Sequence, residues 1–110
     1  MSYIPNQGDI IIMDFHPQSG FEQKGRRPAL VVSNNTYNKN CKMAIVCPIS
    51  NTDKDHPYHI RLEQSTQTTG VILCDQVRSL DINARNAVFK ESVSDTIIDE
   101  TIDLICSFVE

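Results

Sequence analysis

Apolar positions along the chain come in short runs separated by polar, turn-forming clusters, until the last seventeen or so residues, where the period changes. Residues 9–15, DIIIMDF, are an apolar run closed by His16-Pro17, which predicts a strand followed by an exposed loop through QSGFEQKG. Pro28 cannot donate to a ladder and is expected at a strand start, so ALVVS predicts a second strand and NNTYNKN a polar turn after it. MAIVCPI, residues 43–49, predicts a third strand, and SNTDKDHP a loop. In YHIRLEQ, Tyr58, Ile60 and Leu62 alternate with His59, Arg61 and Glu63, the period of a strand with one wet face. STQTTG then reads as a turn, VILCD and VRSLD as two short strands, and NAVFKES as one more. From Ser94 the spacing turns helical. Ser94 is an expected N-cap, Asp95 suits the positive end of the helix dipole, and Ile97, Ile98, Thr101, Ile102, Ile105, Phe108 and Val109 fall on one stripe that can cover a core.

Many short strands and one late helix predict a mainly β fold, a small, strongly bent antiparallel barrel or sandwich with a C-terminal helix. No repeat or linker interrupts the pattern, and 110 residues suit one domain over 1–110. A content of 40% apolar and 22% charged residues is globular rather than disordered. The first residues, MSYIPNQGD, have no basic stretch leading into an apolar one, and no run reaches the length of a membrane span, so the expectation is a soluble, cytoplasmic protein with no membrane partner. Cys41, Cys47, Cys74 and Cys106 lie far apart with no Cys-x-x-Cys pair, which points to neither a zinc site nor a disulfide framework.

Charge changes the picture once it is divided along the chain. The net charge is -4, but residues 91–110 hold six acids and no Lys or Arg, so residues 1–90 are net +2. The body can therefore present a basic patch while the last segment is a solvated acidic face. Gly25-Arg26-Arg27-Pro28 places two guanidiniums at the root of a strand, beside a glycine backbone that a ligand can approach. A guanidinium there offers a planar fork to phosphate, and a surface ion pair with Glu22 or an aspartate accounts for the same residues. Ser50, Asn51 and Thr52 supply hydroxyls and an amide suited to turn chemistry or to a phosphate or base edge. Gln76 and Arg78 share one face if Asp75-Gln76-Val77-Arg78 is extended, where they either contact RNA or bridge within the sheet. His56 and His59 have no Cys-His or Ser-His-Asp context, and a histidine on a wet strand face is expected to be exposed. No phosphate-binding glycine loop and no metal-ligand spacing is present.

Four stretches in order and spacing, GDIIIMDFHP, GFEQKGRRPALVVS, CPISN and GVILCDQVRSLD, resemble the MazF/PemK family of toxin endoribonucleases, and the similarity covers essentially the whole chain. The resemblance implies an SH3-like barrel with a C-terminal helix, assembled as a homodimer that holds single-stranded RNA in a groove at its interface. It implies cleavage without metal or other cofactor, giving a 2',3'-cyclic phosphate and a 5'-hydroxyl, at a short ACA-containing site. It also implies a cognate MazE-like antitoxin whose acidic C-terminal segment occupies the same groove. Carried over residue by residue, it makes Arg27, Ser50 and Glu22 catalytic, and Gln23, Lys24, Gly25, Arg26, Asn51, Thr52, Gln76 and Arg78 RNA-binding. Arg26 falls where the family varies, and Ser50 stands where the family has Thr or Ser. The alternative is a non-catalytic toxin of the same fold, a gyrase poison similar to CcdB, or an inactive RNA-binding module.

Overall fold

The first strand forms where the apolar run predicts it. In the computed structural model, which describes residues 3–15, 25–52 and 55–110, β1 is Asp9–Phe15 and pairs antiparallel with β2, Gly25–Val31. The residues between them, with Glu22, Gln23 and Lys24, lie outside the described residues. β2 starts three residues earlier than expected and carries Pro28 inside the strand, opposite Ile12. The ring is accommodated because the ladder from β2 to the next strand begins only at Ala29, so on that side no inter-strand bond is lost.

NNTYNKN is not a turn but mostly a helix, α1, Asn35–Cys41. Asn34 caps it, its side chain accepting from the Tyr37 amide at 2.9 Å, and Lys42 closes it in the left-handed conformation at φ 55°. Its buried Asn38 donates to the carbonyls of Pro5 and Ser33, so burial is matched by hydrogen bonds. A helix whose inward residue is an amide has no apolar stripe to announce it.

β3, Ala44–Ser50, is the spine of the molecule. Its first part pairs with β2 on one side and with β6 (Arg78–Leu80) on the other, and its last residues turn to pair with β5 (Val71–Leu73). β4, His59–Arg61, joins β5 and is only three residues long, shorter than the alternation in YHIRLEQ predicts. Between β5 and β6 the chain makes a 3-10 turn at Cys74–Gln76 instead of running straight on. β7, Val88–Ser92, pairs with β1 and closes the order β4-β5-β3-β2-β1-β7, with β6 beside β3. The sheet is antiparallel and bent at β3, but among the described strands β4 and β7 do not meet, so the expected barrel stays open.

Period-two alternation gives this sheet two apolar faces. Ile10, Leu30, Cys47, Ile49 and Ile72 pack under α2, Asp95–Val109, against Ile97 and Ile98. Ile11, Met13, Phe15, Ala29, Val31, Val46 and Ile82 form a second cluster on the other face. Ser94 caps α2 through the Ile97 amide as expected, whereas Val109, assigned to the stripe, is exposed. None of the described helices is long and apolar enough to cross a membrane.

Candidate functional site

Strand register decides which polar side chains meet. Arg27 is half-buried and sits opposite Met13 of β1, so it shares a face with Ala29 and Val31, both at 0% exposure. Ala29 faces Pro48 and Val31 faces Val46 on β3. Ser50 is two residues beyond Pro48, on the same side of β3, at the end of the strand nearest the start of β2. Arg78 faces Val46 from the opposite flank of β3. Arg27, Ser50 and Arg78 are therefore brought to one face of the sheet, along a polar rim of the second apolar cluster.

Gly25 at the root of β2 has φ +80°, a conformation that L side chains adopt only with strain, and no atom of the described residues lies within 4 Å of where a Cβ would stand. Arg26, one residue on, points to the opposite face. Its Nη1 lies 3.1 Å from Asp14 Oδ1, and its Nη2 donates to the Asn86 carbonyl at 2.9 Å. Asn86 Nδ2 in turn donates to Asp14 Oδ2 at 2.9 Å. This is a strut between β1, β2 and the turn before β7.

Ser50 is 6% exposed, and its Oγ accepts from the Thr52 amide at 3.1 Å, the turn role expected of it. Its own hydroxyl proton is not used in that bond and is available to donate to a ligand oxygen. Asn51 and Thr52 are exposed beyond it. Gly70, φ +118°, closes over this segment so tightly that an added Cβ would stand 2.3 Å from the Ser50 carbonyl oxygen. Thr69 Oγ1 donates to Asn51 Oδ1 at 2.8 Å, fixing the same segment from the side.

The Thr69-Gly70 segment is itself held by Glu91 of β7, a residue that sequence reasoning did not single out. Its Oε1 accepts from the Gln67 amide at 3.0 Å, and its Oε2 from the Thr68 amide and hydroxyl, each at 2.7 Å. Burial pushes the Glu91 carboxyl up. The bonds from the Thr68 hydroxyl and the Gln67 and Thr68 amides, with Lys90 beside it, outweigh that and hold it below its ordinary value. A lone Glu in NAVFKES carries no sequence signal for this, because its partners lie more than twenty residues away.

The expected pairing of Gln76 with Arg78 on one extended segment is corrected. Gln76 ends the 3-10 turn, and the extended conformation resumes only at Val77. His59, expected on a wet face, is also different: its side chain is only 11% exposed, with Asp75 Oδ1 3.1 Å from its Nε2 and the His56 ring stacked on its face. Cys47 and Cys74 are buried together as free thiols, and a hydrogen bond between them together with burial pushes the Cys47 thiol up. Neither has the exposed cationic setting of a reactive cysteine.

An open antiparallel sheet bent at one spine strand and backed by a C-terminal helix, with two arginines and a hydroxyl on its rim, is a small mainly β domain. A family model described as PemK-like, MazF-like toxin of type II toxin-antitoxin system matches residues 6–109, and the chain belongs to that family. It is 39% identical over 92 residues to the endoribonuclease toxin MazF of Escherichia coli K12, covering 84% of this chain and 82% of that one. It is 32% identical over 100 residues to the endoribonuclease PemK of Escherichia coli, covering 87% and 75%. The crystal structure of MazF from Deinococcus radiodurans superposes with a TM-score of 0.91 at 33% identity, with 98% of each chain covered. In a MazE-MazF crystal structure from the same organism the match has a TM-score of 0.86.

Proposed function

We propose that this protein is the toxin of a type II toxin-antitoxin pair and an endoribonuclease that cleaves single-stranded mRNA in the cytoplasm. What supports the reading most is the strand register that gives Arg27 and Ser50 one face at one end of the sheet. In the proposed reaction the RNA supplies its own nucleophile. The 2'-hydroxyl loses its proton and attacks the adjacent phosphorus. The P–O5' bond breaks, and the leaving oxygen takes a proton. The products are a 2',3'-cyclic phosphate and a 5'-hydroxyl, with no water consumed.

Three tasks follow: removing the 2' proton, stabilising the charge on the phosphorane, and protonating the leaving oxygen. A guanidinium keeps its proton and is a poor base and a strong charge stabiliser, so Arg27 takes the second task and donates hydrogen bonds to the non-bridging oxygens. The Ser50 hydroxyl positions the same phosphate. Glu22 is assigned to orienting the nucleoside or taking the 2' proton, and Gln23 and Lys24, next to it in sequence, to contacts with the RNA. Arg78, Gln76, Asn51 and Thr52 extend the RNA track. Arg26 acts mainly through its strut with Asp14 and contributes at most a peripheral phosphate contact.

The functional unit is a homodimer whose groove holds the RNA, and a MazE-like antitoxin segment of acidic character competes for that groove. A positive groove on an acidic protein is consistent with the division of charge along the chain. The test is cleavage of single-stranded RNA by the purified chain in EDTA, with the new 5' ends sequenced. Arg27→Ala is expected to lower kcat by roughly 10²–10³-fold while circular dichroism still shows a folded protein. A folded Arg27→Ala protein that still cuts at the wild-type rate overturns the mechanism.

A further inference from the structure

His56, His59 and Asp75 come from three different elements and converge. His56 lies in the loop leading to β4, His59 opens β4, and Asp75 is in the 3-10 turn after β5. Each offers one ligand atom, and these atoms all lie within 4.8 Å of one another. His59 Nε2 is 3.1 Å from Asp75 Oδ1, close to the separation of about 3.3 Å between two ligands of a tetrahedral zinc ion held at 2.0–2.1 Å. The two imidazoles stack with centroids 4.3 Å apart and planes at 23°, so a modest tilt turns both toward a shared cation. We propose that His56, His59 and Asp75 form a binding site for a divalent transition-metal ion, zinc in the first place, that staples the β3-β4 loop to the β5-β6 turn.

The hydrogen bonding supports a site rather than a self-sufficient cluster. His59 Nδ1 is buried with no partner among the described residues. For the same reason no second bond locks the ring's tautomer. A metal taking Nε2 displaces the proton there, the proton moves to Nδ1, and no hydrogen bond at Nδ1 is broken. His56 is exposed and is held by one bond from the Tyr58 amide to its Nδ1, at 3.1 Å, which coordination through that ring replaces. Beside the two histidines a cleft of about 360 Å³ is also lined by Asp55, Arg61 and Glu100, leaving room for water at the fourth position of a tetrahedral ion. Two imidazoles and one carboxylate are a borderline donor set that favours zinc, nickel or copper over magnesium or calcium. Spacing could not show this: His56 and His59 are three apart, and Asp75 is sixteen residues beyond His59.

The ion has no part in the proposed RNA chemistry, which proceeds in EDTA, so the two proposals stand or fall separately. Its role is structural: it ties the residues entering β4 to the 3-10 turn that follows β5. The test uses the untagged full chain under reducing conditions, titrated with zinc against a chromophoric chelator and, in parallel, with cobalt(II). The expected result is one saturable site per chain, a rise in melting temperature on binding, and a cobalt spectrum of nitrogen and oxygen ligands. His56→Gln and His59→Gln are each expected to weaken binding at least about tenfold. Since His56 is exposed, its variant keeps the fold and decides the matter even if His59→Gln does not. Absence of a saturable site, affinity unchanged in His56→Gln, or a thiolate-to-cobalt charge-transfer band marking Cys41 or Cys106 as the ligand would each overturn the proposal.

Discussion

Alternation along β2 sends the guanidiniums of Arg26 and Arg27 to opposite faces, so two neighbours of identical chemistry are expected to fail in different ways. Arg26 spans Asp14 and the Asn86 carbonyl with a side chain 42% exposed, and solvent screens the pair. Arg26→Ala is expected to cost stability of only about 0.5 kcal/mol and to leave kcat within a few-fold of wild type. Arg27→Ala, by contrast, is expected to act first on catalysis, lowering kcat by roughly 10²–10³-fold. Melting curves and single-turnover cleavage on the two variants check the contrast, and equal catalytic losses would place both side chains on the RNA. Ser50→Ala sits between them. It removes the proposed phosphate donor and also the acceptor of the Thr52 amide, so kcat is expected to fall at least roughly tenfold with a stability loss of about 1 kcal/mol. The arginine pair was legible in sequence as a fork at a strand root. The resemblance singled out Arg27 of the two, whereas the opposite facing of the pair had to be seen in the strand, which runs from Gly25 and not from Pro28.

At the scale of elements, the segment carrying Ser50 is fixed by a relay that starts on β7. Glu91 holds Gln67 and Thr68, Thr69 holds Asn51, and Gly70 lies against the Ser50 carbonyl. Gly70→Ala meets both a 2.3 Å contact with backbone and a φ of +118°, neither of which a side-chain adjustment relieves. It is expected to destabilise by about 2 kcal/mol or more and to lower cleavage by displacing Ser50. Glu91 makes the relay sensitive to acid. Its carboxyl is held below the ordinary 4.5 in the folded protein, so its contribution is complete above about pH 5 and is lost as pH falls through the folded value. Glu91→Gln should therefore melt lower than wild type at neutral pH, and the gap should close on acidification. A gap that stayed constant with pH would mean the charge is not what holds the loop. The elements were legible where one face is apolar and the other is not, as in DIIIMDF and the Ile97-Ile98-Ile102-Ile105 stripe. They were obscured where tertiary contacts supply the partners. α1 is built on Asn34 and Asn38, whose bonds run to Tyr37, Pro5 and Ser33, and β4 is cut short because the chain pairs with β5 over only three residues.

For the whole molecule, the charge division read from sequence acquires a location. Asp95, Asp99, Glu100 and Asp103 lie on α2, which covers the Ile10-Leu30-Ile49 face of the sheet. Arg27 and Arg78 lie on the opposite face, with Val31 and Val46. The sheet thus separates the helix acids from the proposed RNA rim. Single-stranded RNA bound on that rim releases counterions in proportion to the phosphates neutralised, with a slope in log Kd against log salt of about 0.7 per phosphate. With an RNA carrying deoxyribose at the scissile nucleotide, which binds but has no 2' nucleophile, affinity can be measured without turnover. Arg27→Ala and Arg78→Ala are each expected to reduce that slope by about 0.7 per site occupied. Asp99→Asn and Asp103→Asn, on the far side, should leave the slope unchanged and shift affinity only slightly through the long-range field, an effect that fades as the Debye length falls below about 8 Å above physiological salt. If the helix variants changed the slope as much as the arginine variants, RNA would be tracking the helix side of the molecule, and the rim assigned to Arg27, Ser50 and Arg78 would be wrong.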